Sequence, residues 1–231
     1  PLRDELFEKL SCITPNSPDW ETYRAWHLLG HLSAKKEGKE LPSLKHEILA
    51  AREVGESNPP DSVLDNAKQA AEILHSSELD GTSLDHAGKI IRKKAFASGL
   101  GGLLLMLMTA PIVVLSSGVQ SLAGWYQGDH SDEGIDARTT HHMIGALLSP
   151  LFFWPVASLI FAFAFSLANP LVEFAVAFLV ILISNFIFLT GYDLWVDFRT
   201  SLKRSKLADA ESGKRLEKLI GEIEPALVVL K

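Results

Sequence analysis

A chain of 231 residues that is 47% hydrophobic and 22% charged, with a net charge of -6, carries no basic excess for binding nucleic acid. Its one cysteine, Cys12, excludes an intrachain disulfide and fits a reducing compartment. These averages conceal a segregation. Between Lys94 and Arg199 the only basic residue is Arg138, while Lys and Arg crowd both flanks, which is the pattern of an integral membrane protein with polar arms. The opening Pro1-Leu-Arg-Asp-Glu-Leu6 is charged and is no signal peptide, and a chain beginning at proline reads as a fragment or a processed form.

Leu2, Leu6, Phe7 and Leu10 fall on one face of a short amphipathic helix, which Thr14-Pro-Asn-Ser-Pro18 breaks. Ser17 or Asp19 can cap a second helix from Trp20 to about Lys36, with Glu21 early and Lys35 and Lys36 in its last turn. Gly38 ends it. A third helix follows Pro42 over Ser43–Val54, Gly55 to Pro60 is a linker, and Asp61–His75 is helical again before a polar, turn-rich stretch to Ser83. Residues 1–94 thus form a helical, cytoplasmic arm. Few large apolar residues lie in it, so it is expected to pack on an absent domain or on the membrane surface.

Lys89, Arg92, Lys93 and Lys94 lead into an apolar segment from Ala95 to Tyr126, with Pro111 near its middle and Trp125 and Tyr126 at its end. It is either one kinked span or a re-entrant hairpin turning at Pro111. Met143 to Tyr192 holds one acid, Glu173, and no Lys or Arg, and offers two transmembrane helices, 143–165 and 170–192. Asn169 is placed to cap the second, Pro170 suits its first position, and Glu173 sits in its first turn. Pro150 and Pro155 are expected to kink the first.

The basic clusters at 89–94 and at Arg199, Lys203, Arg204 and Lys206 both read as cytoplasmic. An even number of crossings puts them on one side, which favours the re-entrant form for 95–126 and places both termini and the 127–140 loop in the cytoplasm. Residues 193–231 form a charged tail, with a helix over Leu202–Leu230 expected to lie in solvent or on a surface. The fold class is all-α: a helical arm, a membrane segment, a two-helix hairpin and a charged C-terminal helix.

Two clusters invite a chemical reading. His75-Ser-Ser-Glu-Leu-Asp80 is a His-x4-Asp, in which a carboxylate orients an imidazole that takes a proton from an acceptor hydroxyl. It sits in a turn with no Gly-rich phosphate-binding stretch after it, so it reads as an ordinary turn. Asp129, His130, Asp132, Glu133, Asp136, His141 and His142 offer metal donors, but adjacent histidines on a helix are about 100° apart and a hydrated loop accounts for them. Ser184 and Asn185 lie deep in the last span and are expected to hydrogen-bond a neighbouring helix. The aromatic runs Phe152-Phe-Trp154 and Phe161 to Phe165 read as lipid-facing bulk. No P-loop, dinucleotide fingerprint or CxxC is present, and no catalytic, cofactor-binding or metal-binding residue is assigned.

Three stretches, LSCITPNSPDWETYRAW within 6–26, GIDARTTHHMIGALLSPLFFWPV at 134–156 and DLWVDFRTSLKR at 193–204, occur in an order that resembles a known family. It resembles the region following the catalytic domain in membrane-bound glycerol-3-phosphate and dihydroxyacetone-phosphate acyltransferases, of the lysophosphatidate-acyltransferase-like (PlsC-like) superfamily. Family members carry His-x4-Asp and a Gly-bearing phosphate motif on an α/β domain. Here the second motif is missing, and His75 follows the Pro-Asp-Trp-Glu turn rather than preceding it. The resemblance therefore implies the membrane-anchoring C-terminal part of such an enzyme in phospholipid biosynthesis, partnered by the bilayer and by the N-terminal acyltransferase domain, and inactive alone. It implies the endoplasmic reticulum in a eukaryote or the inner membrane in a bacterium. A non-enzymatic membrane-shaping scaffold with hydrophobic hairpins is the other reading of the same apolar segments.

Overall fold

A computed structural model describes residues 17–92, 95–130, 140, 143–144, 147, 149–164 and 169–228. The expected helix over Leu2–Leu10, Cys12 and most of the 129–142 cluster lie outside the described residues. The chain divides into two compact units, one from residues 1–94 with 199–231 and the other from 95–198. Both are helical, and among the described residues the one β pairing is an isolated antiparallel bridge between Leu84 and Ile90.

In the first unit, α1 (Trp20–Lys36), α2 (Leu44–Glu56) and α3 (Asp61–Ser76) form where local signals place them. Asp19 caps α1, its carboxylate accepting from the Thr22 backbone N–H at 2.6 Å and from the Thr22 hydroxyl at 3.0 Å. The backbone bond and then the hydroxyl bond hold the Asp19 carboxyl below its ordinary value. Alanines at 25, 51, 67, 70 and 71 are buried where these helices meet, which lets the backbones approach.

Further large apolar residues come from the C-terminal part of the chain and join the arm's own leucines and valines. The tail is not one solvated helix over 202–230. A helix that begins at Pro170 runs to Asp209, the chain turns at the extended Ala210, and a further helix spans Glu211–Ile223. Leu216, Leu219, Ile220 and Ile223 form its apolar stripe and are buried with Leu28, Leu29, Leu32, Val63 and Leu74 in one core. Arg215 Nη2 donates to Gln69 Oε1 at 2.8 Å, and Asn66 Nδ2 to Glu222 Oε2 at 3.1 Å. The arm's core is thus completed by this chain's own tail, correcting the expectation that it must pack elsewhere. The charges that suggested solvation occupy only the outer face.

The second unit contains α4 (Phe96–Val113), a π-helical turn at Val114–Gly118 and α5 (Val119–Asp129), continuous through Pro111. The turn favoured at Pro111 does not form. Proline removes one i→i−4 donor but keeps a helical φ, so the helix passes through it, and a π-helical turn follows at Val114–Gly118. The second helix-widening, at Ser149–Phe153, surrounds Pro150 and precedes α6 (Trp154–Ala164). Asn169 caps α7 (Pro170–Asp209) as expected, its Oδ1 accepting from Leu171 N–H at 3.0 Å. Its 40 residues make the helix about 60 Å long, twice the hydrocarbon thickness.

Phe96–Tyr126 and Pro170–Asp209 are each long and apolar enough to cross a membrane, whereas Pro150–Ala164 is shorter. α4 and the second-unit part of α7 pair antiparallel. A Cβ on Gly99 would meet the Phe198 ring, one on Gly102 would lie 2.5 Å from the Gly191 carbonyl oxygen, and one on Gly191 would lie 2.8 Å from that of Gly102. Phe96 and Phe198 meet edge-to-face with centroids 6.2 Å apart. Only glycine permits this backbone-to-backbone approach, the geometry by which small residues pair helices in lipid. Outside the pair, Leu104, Leu107, Met108, Leu171 and Phe186 stand exposed.

Replacing Gly102 or Gly191 by leucine should destabilise the second unit by about 1–3 kcal/mol through overpacking, read as a lower midpoint in detergent-titrated unfolding. Gly101→Leu, where a Cβ meets nothing, should leave the midpoint unchanged. In the first unit, Leu216→Ala should cost about 2–5 kcal/mol and Glu217→Ala close to nothing, as measured by hydrogen exchange of α1 and α3.

Candidate functional site

His75 and Asp80 both line a cleft in the first unit, but not as a working dyad. The cleft holds about 260 Å³ between α1, α2, the end of α3 and the turn at Gly81, with Tyr23, Arg24, His27, His31 and Glu47 on its other walls. His75 is in the last turn of α3, where Leu79 N–H bonds back to Leu74 O at 2.9 Å and ends the helix. Asp80 caps the following short turn, its Oδ1 accepting from Thr82 N–H at 2.9 Å and from the Thr82 hydroxyl. No hydrogen bond joins His75 to Asp80 among the described residues. The field of Asp80 falls on Lys35 and His31, each of which it favours in the charged form.

The deeper histidines carry the cleft's character, and the sequence reading passed over them. His27 and His31 are four apart and therefore share one face of α1. His31 is buried, its Nε2 lies 3.7 Å from Glu47 Oε2 on α2, and Gly81 is packed against it so closely that a Cβ there would come within 2.7 Å of the His31 Cβ and 2.8 Å of its ring. His27 lies against Tyr23 with ring centroids 4.4 Å apart and planes tilted by 45°, and its buried Nε2 has no hydrogen-bond partner among the described residues. Burial pushes both imidazoles below their ordinary 6.5, against the pull of Glu47. The signal available in the sequence was His27-x3-His31 itself, on a helix that the Asp19 cap already fixed in register.

Lys35, one turn beyond His31 on α1, ties down the turn at Gly81. Its Nζ donates to the Gly81 carbonyl at 2.8 Å and to that of Leu84, and burial, then Arg204, lowers its affinity for a proton. Neutral imidazoles facing a carboxylate can exchange hydrogen bonds with a small polar molecule and can take up a proton on acidification. Among the described residues no group of three His, Cys, Asp or Glu side chains is arranged to hold a metal.

The second unit contains a polar junction of a different kind. Asn185 on α7 accepts at Oδ1 from Ser117 Oγ at 3.0 Å, and its Nδ2 donates to Ser116 Oγ at 3.2 Å and to Ile181 O at 2.9 Å. Trp154 on α6 donates from Nε1 to the same Ser117 Oγ at 2.9 Å. Three helices are thereby tied at the widened turn, fulfilling the expectation for Asn185. Trp154 corrects the reading of its aromatic run as lipid-facing bulk: its indole N–H turns inward to an acceptor, while Phe152 and Phe163 remain exposed. Of the 129–142 cluster, His130 stacks on Tyr126 at 4.2 Å and bonds the Tyr126 carbonyl through Nδ1 at 2.9 Å.

No protein-family model, curated protein or solved structure matches the chain.

Because the folded state disfavours protonation of His27 and His31, the unfolded state binds more protons as the pH falls through their ordinary range. Stability of the first unit should be fully present above about pH 7 and decline towards about pH 5, before the carboxylates titrate. Thermal melts in detergent across that window should show the decline, and His27→Gln with His31→Gln should flatten it.

Proposed function

We propose that this chain is the membrane-anchoring region of a glycerol-3-phosphate or dihydroxyacetone-phosphate O-acyltransferase of phospholipid biosynthesis. The observation that carries the anchoring half is the antiparallel pairing of α4 with α7 through Gly102 and Gly191, with large apolar side chains turned outward. A water-soluble fold would cover that surface. The acyltransferase half rests on the order of the three stretches at 6–26, 134–156 and 193–204. In this reading the first unit is the platform on which the catalytic domain works, and its own residues perform no acyl transfer. A base, an oxyanion donor set and an acceptor-phosphate site must share one cleft, and Asp80 is committed to its turn.

The antiparallel pair also supports a topology. Phe96 and Phe198 lie at the same end of the pair, so the basic residues that precede one and follow the other, Lys89 and Arg92, Arg199 and Lys203, belong on one side. By the positive-inside rule that side is the cytoplasm, and both termini share it. In this reading the end of α5 at Asp129 and Asn169, which caps α7, belong on the opposite side. His130, which follows α5, is then on that side too, in place of the cytoplasmic position that a turn at Pro111 required.

Cysteine labelling in sealed vesicles, on a Cys12-free background, tests the topology. A cysteine at His130 should react only with reagent on the side opposite to that reached by a cysteine at Glu56, and equal access would refute the arrangement. Purified chain in lipid, given acyl-CoA and glycerol 3-phosphate, should turn over no faster than protein-free lipid. Turnover lost in His75→Ala would overturn the anchoring role. Removing residues 95–198 from the parent gene should release acyltransferase activity from membranes. A coding sequence with no acyltransferase domain beside this region would leave the scaffold reading in its place.

A further inference from the structure

The second unit has a cavity of about 340 Å³ whose walls, among the described residues, are apolar apart from the carboxyl group of Glu173. Residues 172, 173, 176, 177, 180 and 181 form one face of α7 along about 13 Å of its axis. Ile112 of α4 and Phe161 and Ala162 of α6 face them. Ala162 and Ile181 are buried and form the floor, whereas Val172, Val176 and Val180 stay exposed at the rim, so the cavity opens sideways as a slot. Small side chains at 162 and 177 create the space. Glu173 lies at the end of the slot nearest the helix N-terminus, two residues after Leu171, whose N–H is capped by Asn169.

We propose that this slot holds one aliphatic chain of a single-chain lipid whose polar end is uncharged and donates hydrogen bonds to Glu173. The volume lies in the range of small-molecule sites, and the lining matches their usual make-up, apolar walls with one orienting polar group. A carboxylate offers about four lone-pair positions, so Glu173 can accept from a ligand hydroxyl in addition to its contacts within the fold. In its ionised form this carboxylate repels a fatty-acid anion or a phosphate, so the head that complements it is an uncharged, hydroxylated one such as that of a monoacylglycerol. The slot runs from a helix end towards the helix middle, so the chain lies along α7 with its head at the end where water is near. The proposal rests on the membrane-anchoring reading for the lateral supply of lipid, but the slot itself is tested without it.

The probe is a monoacylglycerol with a diazirine in its acyl chain, compared with the corresponding diazirine fatty acid at alkaline pH. Both are applied to the full chain in nanodiscs and in detergent micelles, with labelled peptides mapped by mass spectrometry. Monoacylglycerol should label the 161–162 and 172–181 peptides, and the fatty acid should label them weakly. Ala177→Trp, which fills the slot, should cut monoacylglycerol labelling about tenfold, and Glu173→Ala, which keeps the space but removes the acceptor, by a similar factor. Glu173→Ala should also abolish the difference in labelling between the two probes. Should Ala177→Trp lose helicity by circular dichroism, Ala162→Phe fills the slot from the opposite wall and carries the same expectation. Labelling that survives a filled slot, or a fatty acid that labels the native chain as strongly as the monoacylglycerol, overturns the proposal. A native chain that resists alkaline-carbonate extraction yet stays unlabelled refutes the slot alone. A chain that carbonate extracts refutes anchoring, and labelling in micelles then still decides the slot.

Discussion

The backbone approach of α4 and α7 at Gly102 and Gly191 is the constraint on which the second unit depends. Each glycine's missing Cβ makes room for the other's carbonyl, and a methyl group on either would overlap it. In lipid there is no hydrophobic drive to bring two helices together, so close van der Waals contact and hydrogen bonds must do it. The glycine contact supplies the first. The bonds from Asn185 to Ser116 and Ser117, and from Trp154 to Ser117, supply the second, some distance along the same pair. With these two points of contact the pair has one register, and α6 has one place to dock.

The widened turn at Val114–Gly118 connects these features. It follows Pro111 within one helical turn, and it brings Ser116 and Ser117 to the face that meets α7 and α6. Proline therefore does not end the helix, and the widened turn after it is the place where polar side chains converge. A second proline, Pro150, has the same consequence next to Trp154. The slot beside Glu173 is bounded by the helices that this junction ties together, so lipid selection and helix packing draw on the same arrangement.

In the first unit the governing interaction is the burial of the Leu216, Leu219, Ile220 and Ile223 stripe against helices built with alanine. Segments at opposite ends of the chain share that core, so the unit forms only when both are present. Its cleft then inherits a pair of imidazoles, of which His31 is buried, wedged between Glu47 and Gly81. Such a pair makes the unit sensitive to acidification at a pH well above that of carboxylate titration.

Local chemistry determined much of this protein in advance. Asp19, the Pro42 and Pro60 boundaries, and Asn169 before Pro170 fixed where helices begin, since capping and proline geometry act within a few residues. Apolar run length marked 170–192 as a span, and that stretch lies in a helix long enough to cross a membrane. It also marked 143–165, where the described helix is shorter, and left 95–126 undecided although Phe96–Tyr126 is long enough to cross. Tertiary structure decided the rest. Whether Pro111 turns the chain depends on what packs around it, not on its sequence neighbours. Leu216 to Ile223 and the alanines of α1 and α3 are some 150 residues apart or more, beyond any local pattern, so the charged outer face of the tail was all that periodicity revealed. His75 and Asp80 matched a spacing, but only the fold shows that Asp80's oxygen faces Thr82. His27 and His31 became a pair only when Glu47 closed over them. The inward turn of Trp154 likewise needed an acceptor on another helix, which a one-dimensional reading of an aromatic run cannot supply.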